Sequence, residues 1–101
     1  MSSDIAQNQV ESLDSILNFV SLDIETTGLD PRRDEIIQIA AIRFTAGIKT
    51  DVFDSFVKPH AKVPTFIKAL THISSDDLKN APSIETILPK LMDFIGDSVI
   101  V

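Results

Sequence analysis

Asp23 and Glu25 are the residues best placed to do chemistry, because two carboxylates two positions apart on an extended segment project from the same face. In the stretch Val20-Ser21-Leu22-Asp23-Ile24-Glu25, the alternation sends Val20, Leu22 and Ile24 one way and Ser21, Asp23 and Glu25 the other. Like charges this close repel, and burying either would raise its pKa. No Lys or Arg occurs between positions 20 and 30, so the counter-ion must come from elsewhere. A hard divalent cation, which prefers oxygen ligands, meets that need. The competing reading is an edge strand with a solvated acidic face. The next residues favour the metal: Thr26, Thr27 and Gly28 are small enough for backbone N–H groups to approach a ligand closely, and Leu29 adds one apolar surface beside the acids.

Such a pair has to be held by a sheet, and the rest of the chain predicts one. Residues 18–26 read as the first strand, and residues 29–34 as a loop marked by the Asp30-Pro31 step, with Arg32 and Arg33 as solvated loop residues. Residues 35–45 form a second strand whose apolar side chains cover both faces. Gly47 marks a hairpin, and residues 49–57 a third strand with Val52 and Phe56 on one face and Phe53 and Val57 on the other. Short connections make these an antiparallel meander. From Pro64 the period changes. Residues 64–70 read as a short helix with proline in its first turn, and Ser74 or Ser75 caps a second. A longer helix starts at Ser83 with Ile84, Ile87, Leu88, Leu91 and Ile95 on one stripe, and Pro89 predicts a kink or irregular turn within it. Gly96 stops that helix and residues 98–101 begin a fourth strand, parallel to the first. Three apolar residues at the chain end read as the opening of a core strand, which predicts a truncated domain.

The domain is expected over residues 18–101, with residues 1–17 as an extension or linker carrying a weak amphipathic helix at Val10, Leu13, Ile16 and Leu17. With 101 residues and 44% apolar composition the chain can build one small core. No apolar run approaches the ~18 residues of a membrane span, no secretory signal opens the chain, and no cysteine is present. A cytoplasmic protein with no membrane partner is the expectation. The net charge of −6 argues against gripping nucleic acid through a basic patch, although bound divalent ions would reverse the field locally. His60 and His72 lack a carboxylate at metal-ligand spacing and read as surface or loop residues.

The run Ser21-Leu22-Asp23-Ile24-Glu25-Thr26-Thr27-Gly28-Leu29, followed by Asp34-Glu35-Ile36-Ile37-Gln38-Ile39-Ala40-Ala41-Ile42, resembles the first motif and second strand of the DEDDh 3′–5′ exonucleases. Members of that family include the proofreading epsilon subunit of bacterial DNA polymerase III and the exonuclease segments of PolC-type polymerases and DinG-like helicases. The resemblance implies an α/β fold of the RNase H-like kind, with a mixed sheet that opens on the antiparallel meander. It also implies hydrolysis of nucleoside 5′-monophosphates from a single-stranded DNA 3′ end, with a DNA polymerase subunit or a fused helicase or polymerase as partner. Asp23 and Glu25 would be catalytic residues that hold two Mg2+ or Mn2+ ions, Asp23 bridging them. Thr26, Thr27, Gly28 and Leu29 would hold the terminal nucleotide. Thr71-His72-Ile73 stands where the family has a base-contacting His-Gly-Ile, so Thr71 and His72 are further candidate contacts, with histidine at the glycine place. The family's second and third acidic motifs are expected beyond Val101. The alternatives are a non-catalytic nucleic-acid-binding module on the same scaffold, an exonuclease acting on RNA, and a structural fragment.

Overall fold

In a computed structural model, residues 16–101 are described. Four strands make one sheet in the order β3-β2-β1-β4, with β1 at Phe19–Thr26, β2 at Ile36–Thr45, β3 at Ile48–Phe56 and β4 at Val99–Ile100. The first three strands pair antiparallel and β4 runs parallel to β1, as the sequence predicts. Ala46 and Gly47 both have positive φ, 53° and 77°. A two-residue type I′ hairpin needs that conformation at both central positions. Asn18 supports the turn from outside by accepting the Ala46 N–H at 3.0 Å. The leader helix expected within residues 1–17 falls outside the described residues except for Ile16 and Leu17, which are helical.

Three helices occupy the long connection between β3 and β4: α1 (Thr65–Thr71), α2 (Ser75–Lys79) and α3 (Ile84–Ile95). Pro64 sits at the N-cap of α1, one place before the position predicted for it. Ser74 starts α2 with a reciprocal capping box, its hydroxyl accepting the Asp77 N–H while the Asp77 side chain accepts the Ser74 N–H. Ser83 caps α3 without a reciprocal box, its hydroxyl accepting from the Thr86 N–H. Pro89 lies inside a continuous α3, where the sequence predicts a kink or irregular turn. The proline forfeits one backbone hydrogen bond, and burial of Ile87, Leu91 and Ile95 on the sheet offsets the loss. Leu88, placed on the same stripe by periodicity, is half exposed. Gly96 takes φ 58° to end the helix.

The α3 stripe packs on the sheet face made by Val20, Leu22, Ile39, Ala41 and Phe53. Arg43 fastens the far end of α3: its guanidinium donates to the Phe94 carbonyl and the Ser98 hydroxyl and lies 5.0 Å from the Phe94 ring centroid. A cation beside the last turn also suits the helix dipole. A second cluster closes one end of the sheet, where Val63, Ile67, Ile73 and Leu78 enclose Ile37 with Phe56 packed against them. The sheet thus has one face covered by α3 and an opposite face on which Ser21, Asp23 and Glu25 project. Beyond Val99–Ile100 the pairing continues, since the Leu22 N–H donates to the Val101 carbonyl and the Val101 N–H to the Val20 carbonyl.

Candidate active site

The register sets what surrounds the two acids. Asp23 lies opposite Ala40 and Glu25 opposite Gln38, so a methyl group and an amide are the cross-strand neighbours and neither is a cation. Asp23 is exposed and Glu25 half-buried. Ion pairs among the described residues involve Asp30, Glu35 and Glu85, and neither Asp23 nor Glu25 takes a hydrogen bond or ion pair. Two unpartnered carboxylates on one face are a donor set that fits a hard divalent ion. Among the described residues no third His, Cys, Asp or Glu gathers with them into a metal cluster. Mg2+ in particular is commonly held by one or two carboxylates, with water and substrate phosphates filling the remaining positions.

The strand then ends in a built turn. The pairing shifts between Glu25 and Thr26, because Thr26 pairs with Ile36 and leaves Ile37 as an extra residue on β2. Such a bulge bends the strand and re-aims the side chains next to it. The Thr26 hydroxyl donates to the Gly28 carbonyl at 2.6 Å and accepts the Gly28 N–H at 3.3 Å. The Thr27 side chain is buried, donates to Asp34 Oδ1 at 3.0 Å and accepts the Glu35 N–H at 2.9 Å. Asp34 Oδ2 in turn accepts the Asp30 N–H at 2.8 Å. A Cβ at Gly28 would lie 2.5 Å from Asp34 Oδ2, so glycine is needed here for the close approach of an internal carboxylate. Leu29 is left 99% exposed at the tip, an apolar side chain with nothing of the described chain over it.

Ile24, Thr26, Gly28, Leu29, Pro31 and Ile36 line a cavity of about 560 Å³. Asp23 and Glu25 do not line it, since alternation puts them on the other face of β1. Thr26, Gly28 and Leu29 are thus brought together, the two acids lie beside them around the strand end, and Thr27 is turned inward. Thr71 and His72 lie elsewhere, at the end of α1. His72 adopts φ 61°, the left-handed conformation that glycine takes most easily, which accounts for a glycine at this place in the sequence pattern it resembles.

Sequence reasoning missed a neighbouring ionic staple. The Glu35 carboxylate accepts the His60 N–H at 2.9 Å, the Ala61 N–H at 3.0 Å and a contact from His60 Nδ1 at 2.8 Å. His60 Nε2 lies 3.6 Å from Glu85 at the start of α3. Spacings of 25 residues on either side hide this from any local motif. The His60 N–H, with smaller help from the Ala61 N–H and the imidazole, holds Glu35 below its ordinary 4.5, and the Glu35 carboxylate raises His60 above 6.5. A lowered carboxyl pKa contributes stability that fades as pH falls through it, and a raised histidine pKa contributes stability that fades as pH rises through it. Replacing His60→Gln should therefore lower the urea midpoint most between pH 4.5 and 6.5 and least well above that window. An equal loss at alkaline pH would show that the imidazole's charge is irrelevant.

Residues 20–101 match the RNase_T exonuclease family. The chain is 41% identical over 83 residues to the DNA polymerase III subunit epsilon of Aquifex aeolicus, covering 82% of this chain and 41% of that protein. It is 42% identical over 83 residues to the DNA polymerase III PolC-type of Staphylococcus saprophyticus, covering 82% of this chain and 6% of that one. The chain thus spans less than half the length of the first relative and a small fraction of the second. Among solved structures it superposes on the nuclease domain of 3′hExo, a DEDDh family member, with TM-score 0.68 and 23% identity over 77% of this chain and 43% of that one. It also superposes on E. coli exonuclease I with TM-score 0.66 and 20% identity over 76% of this chain and 18% of that one. These two share its fold, the RNase H-like mixed sheet.

Proposed function

The chain belongs to the RNase_T exonuclease family, and on that premise we propose that it supplies the first acidic motif of a metal-dependent 3′–5′ exonuclease that removes nucleoside 5′-monophosphates from single-stranded DNA in proofreading or repair. The observation that carries this reading is the placement of Asp23 and Glu25, unpartnered on the uncovered sheet face, immediately before a turn that ends in exposed Leu29. The relatives named as DNA polymerase III subunits support DNA as substrate and a polymerase as partner.

In this mechanism Asp23 and Glu25 would hold divalent cations, Mg2+ or Mn2+, through carboxylate oxygens that no other group of the described residues occupies. Held there, two such ions would supply an activated water and positive charge to offset the leaving 3′ oxygen. Leu29 packs against the terminal sugar or base, and the Thr26-Gly28 backbone bounds the slot it enters. Thr27 acts from within: its hydroxyl ties Asp34 and Glu35 together and so fixes the turn. Thr71 and His72 would meet the strand further along, from the end of α1.

A 5′-labelled single strand incubated with Mn2+ tests the reading, run side by side on this chain and on the product of its full reading frame. The expected result is a ladder of shortened labelled strands from the full reading-frame product, with nucleoside 5′-monophosphates released. No ladder from either protein overturns it.

A further inference from the structure

Four of the nine cationic residues, Lys58, Lys62, Lys68 and Lys79, line one surface cavity of about 230 Å³. They are scattered over 22 positions of sequence and meet only because the β3–α1 connection and the two short helices fold against one another. The cavity floor includes Val63 and Leu78, both buried. None of the four lysines forms an ion pair among the described residues, and the one polar contact is from the Lys68 ammonium to the Ser75 hydroxyl at 2.5 Å. In a chain of net charge −6, this is a local concentration of positive charge outside any ion pair among the described residues. Asp76 and Asp77 lie on the same short helix as Lys79 but do not line the cavity, and the lysines gathered around it favour an anionic occupant.

Register places the strand end that leads into the cavity relative to the acids. Glu25 pairs with Gln38, and Gln38 with Phe56, so Phe56 stands about two strand spacings, ~10 Å, from Glu25 at the same end of the sheet. Lys58 comes two residues later. We propose that this lysine-ringed cavity binds the phosphodiester backbone of the single strand whose 3′ end reaches the Asp23–Leu29 site, the choice of occupant resting on the exonuclease reading. An acidic peptide would satisfy the charge, but a strand reaching the Asp23–Leu29 site would also account for the cavity's place at the same sheet end as the acids. No aromatic side chain lines the cavity, so binding works through phosphates and not through base stacking. It is therefore steep in salt and indifferent to base sequence.

The test measures binding without cleavage. Fluorescence anisotropy of a short labelled oligothymidylate, in EDTA and across a range of NaCl, reads the slope of log affinity against log salt. Each phosphate neutralised by a lysine contributes about −0.7 to that slope for single strands. Lys62→Gln and Lys79→Gln, at exposed positions, should each flatten the slope by about that amount and weaken binding at low salt, with unchanged circular dichroism. The double variant should flatten it by about twice as much. Unchanged slopes overturn the proposal, as does a loss confined to binding of an oligoglutamate peptide. Flattened slopes without a Mn2+-dependent ladder in the wild-type full-length product would overturn the exonuclease reading and leave the strand-binding cavity standing. A ladder with unchanged slopes would do the reverse.

Discussion

Asp23→Ala should abolish Mn2+-dependent shortening of a 5′-labelled strand by the full reading-frame product while leaving the fold intact or slightly more stable. The loss should exceed about 100-fold, because groups that merely orient metal ligands already account for 10- to 100-fold effects and Asp23 is placed as a ligand itself. The stability side of the prediction comes from the register. Asp23 faces Ala40, is exposed and makes no hydrogen bond or ion pair among the described residues, so truncation breaks no contact. It also relieves repulsion with Glu25 on the same face. The change in unfolding free energy without metal should thus lie within about 0.5 kcal/mol, in the stabilising direction. With Mn2+ present the wild type should gain thermal stability and the variant should not, since an ion that binds only the folded state stabilises by mass action. Retained cleavage would remove Asp23 from the metal site. Lost cleavage together with a large loss of stability would assign the residue to the fold instead.

What could be read ahead of the structure was whatever depends on period and punctuation. The two-residue alternation of β1 put Val20, Leu22 and Ile24 on one face and Asp23 and Glu25 on the other, and in the sheet Val20 and Leu22 meet the core while Asp23 and Glu25 do not. Ser74 or Ser75, and Ser83, announced helix starts, of which Ser74 and Ser83 are the caps; Gly47 announced a hairpin and Gly96 a helix stop. The features that stayed hidden depend on distant residues meeting. Ile24 continues the apolar alternation, yet it is 44% exposed because the buried α3 residues on that face pack against Val20, Ile39 and Ala41 and leave the β1 end uncovered. Glu35, His60 and Glu85 form a staple only after the β3 exit loop returns beside β2. The negative global charge spoke against a basic patch, and the four lysines around one cavity show why a sum over the chain says little about a site. Thr27 looked equivalent to Thr26 in sequence, but the β1–β2 bulge turns one hydroxyl toward the turn itself and the other toward Asp34.

That bulge and the Asp34 carboxylate make Gly28→Ala the second variant with a large expected effect. The added Cβ would stand 2.5 to 2.9 Å from all three carboxylate atoms of Asp34. A flexible side chain would swing aside at little cost, but Asp34 is short and held at both oxygens, by the Thr27 hydroxyl and the Asp30 N–H. Expelling it breaks two hydrogen bonds to a charged acceptor and leaves the buried Thr27 hydroxyl short of a partner, a cost of about 1–3 kcal/mol. The same movement displaces Thr26 and Leu29, so strand shortening by the full-length product should fall even though both acids remain. The clash has a specific signature. In an Asp34→Ala background the space is already open, so adding Gly28→Ala should cost far less there than in the wild type, and the two substitutions should be strongly non-additive in urea unfolding. Additive costs would mean that alanine at 28 acts through the backbone rather than through Asp34, and the network of Thr27, Asp34 and Asp30 would then not be what sets the turn.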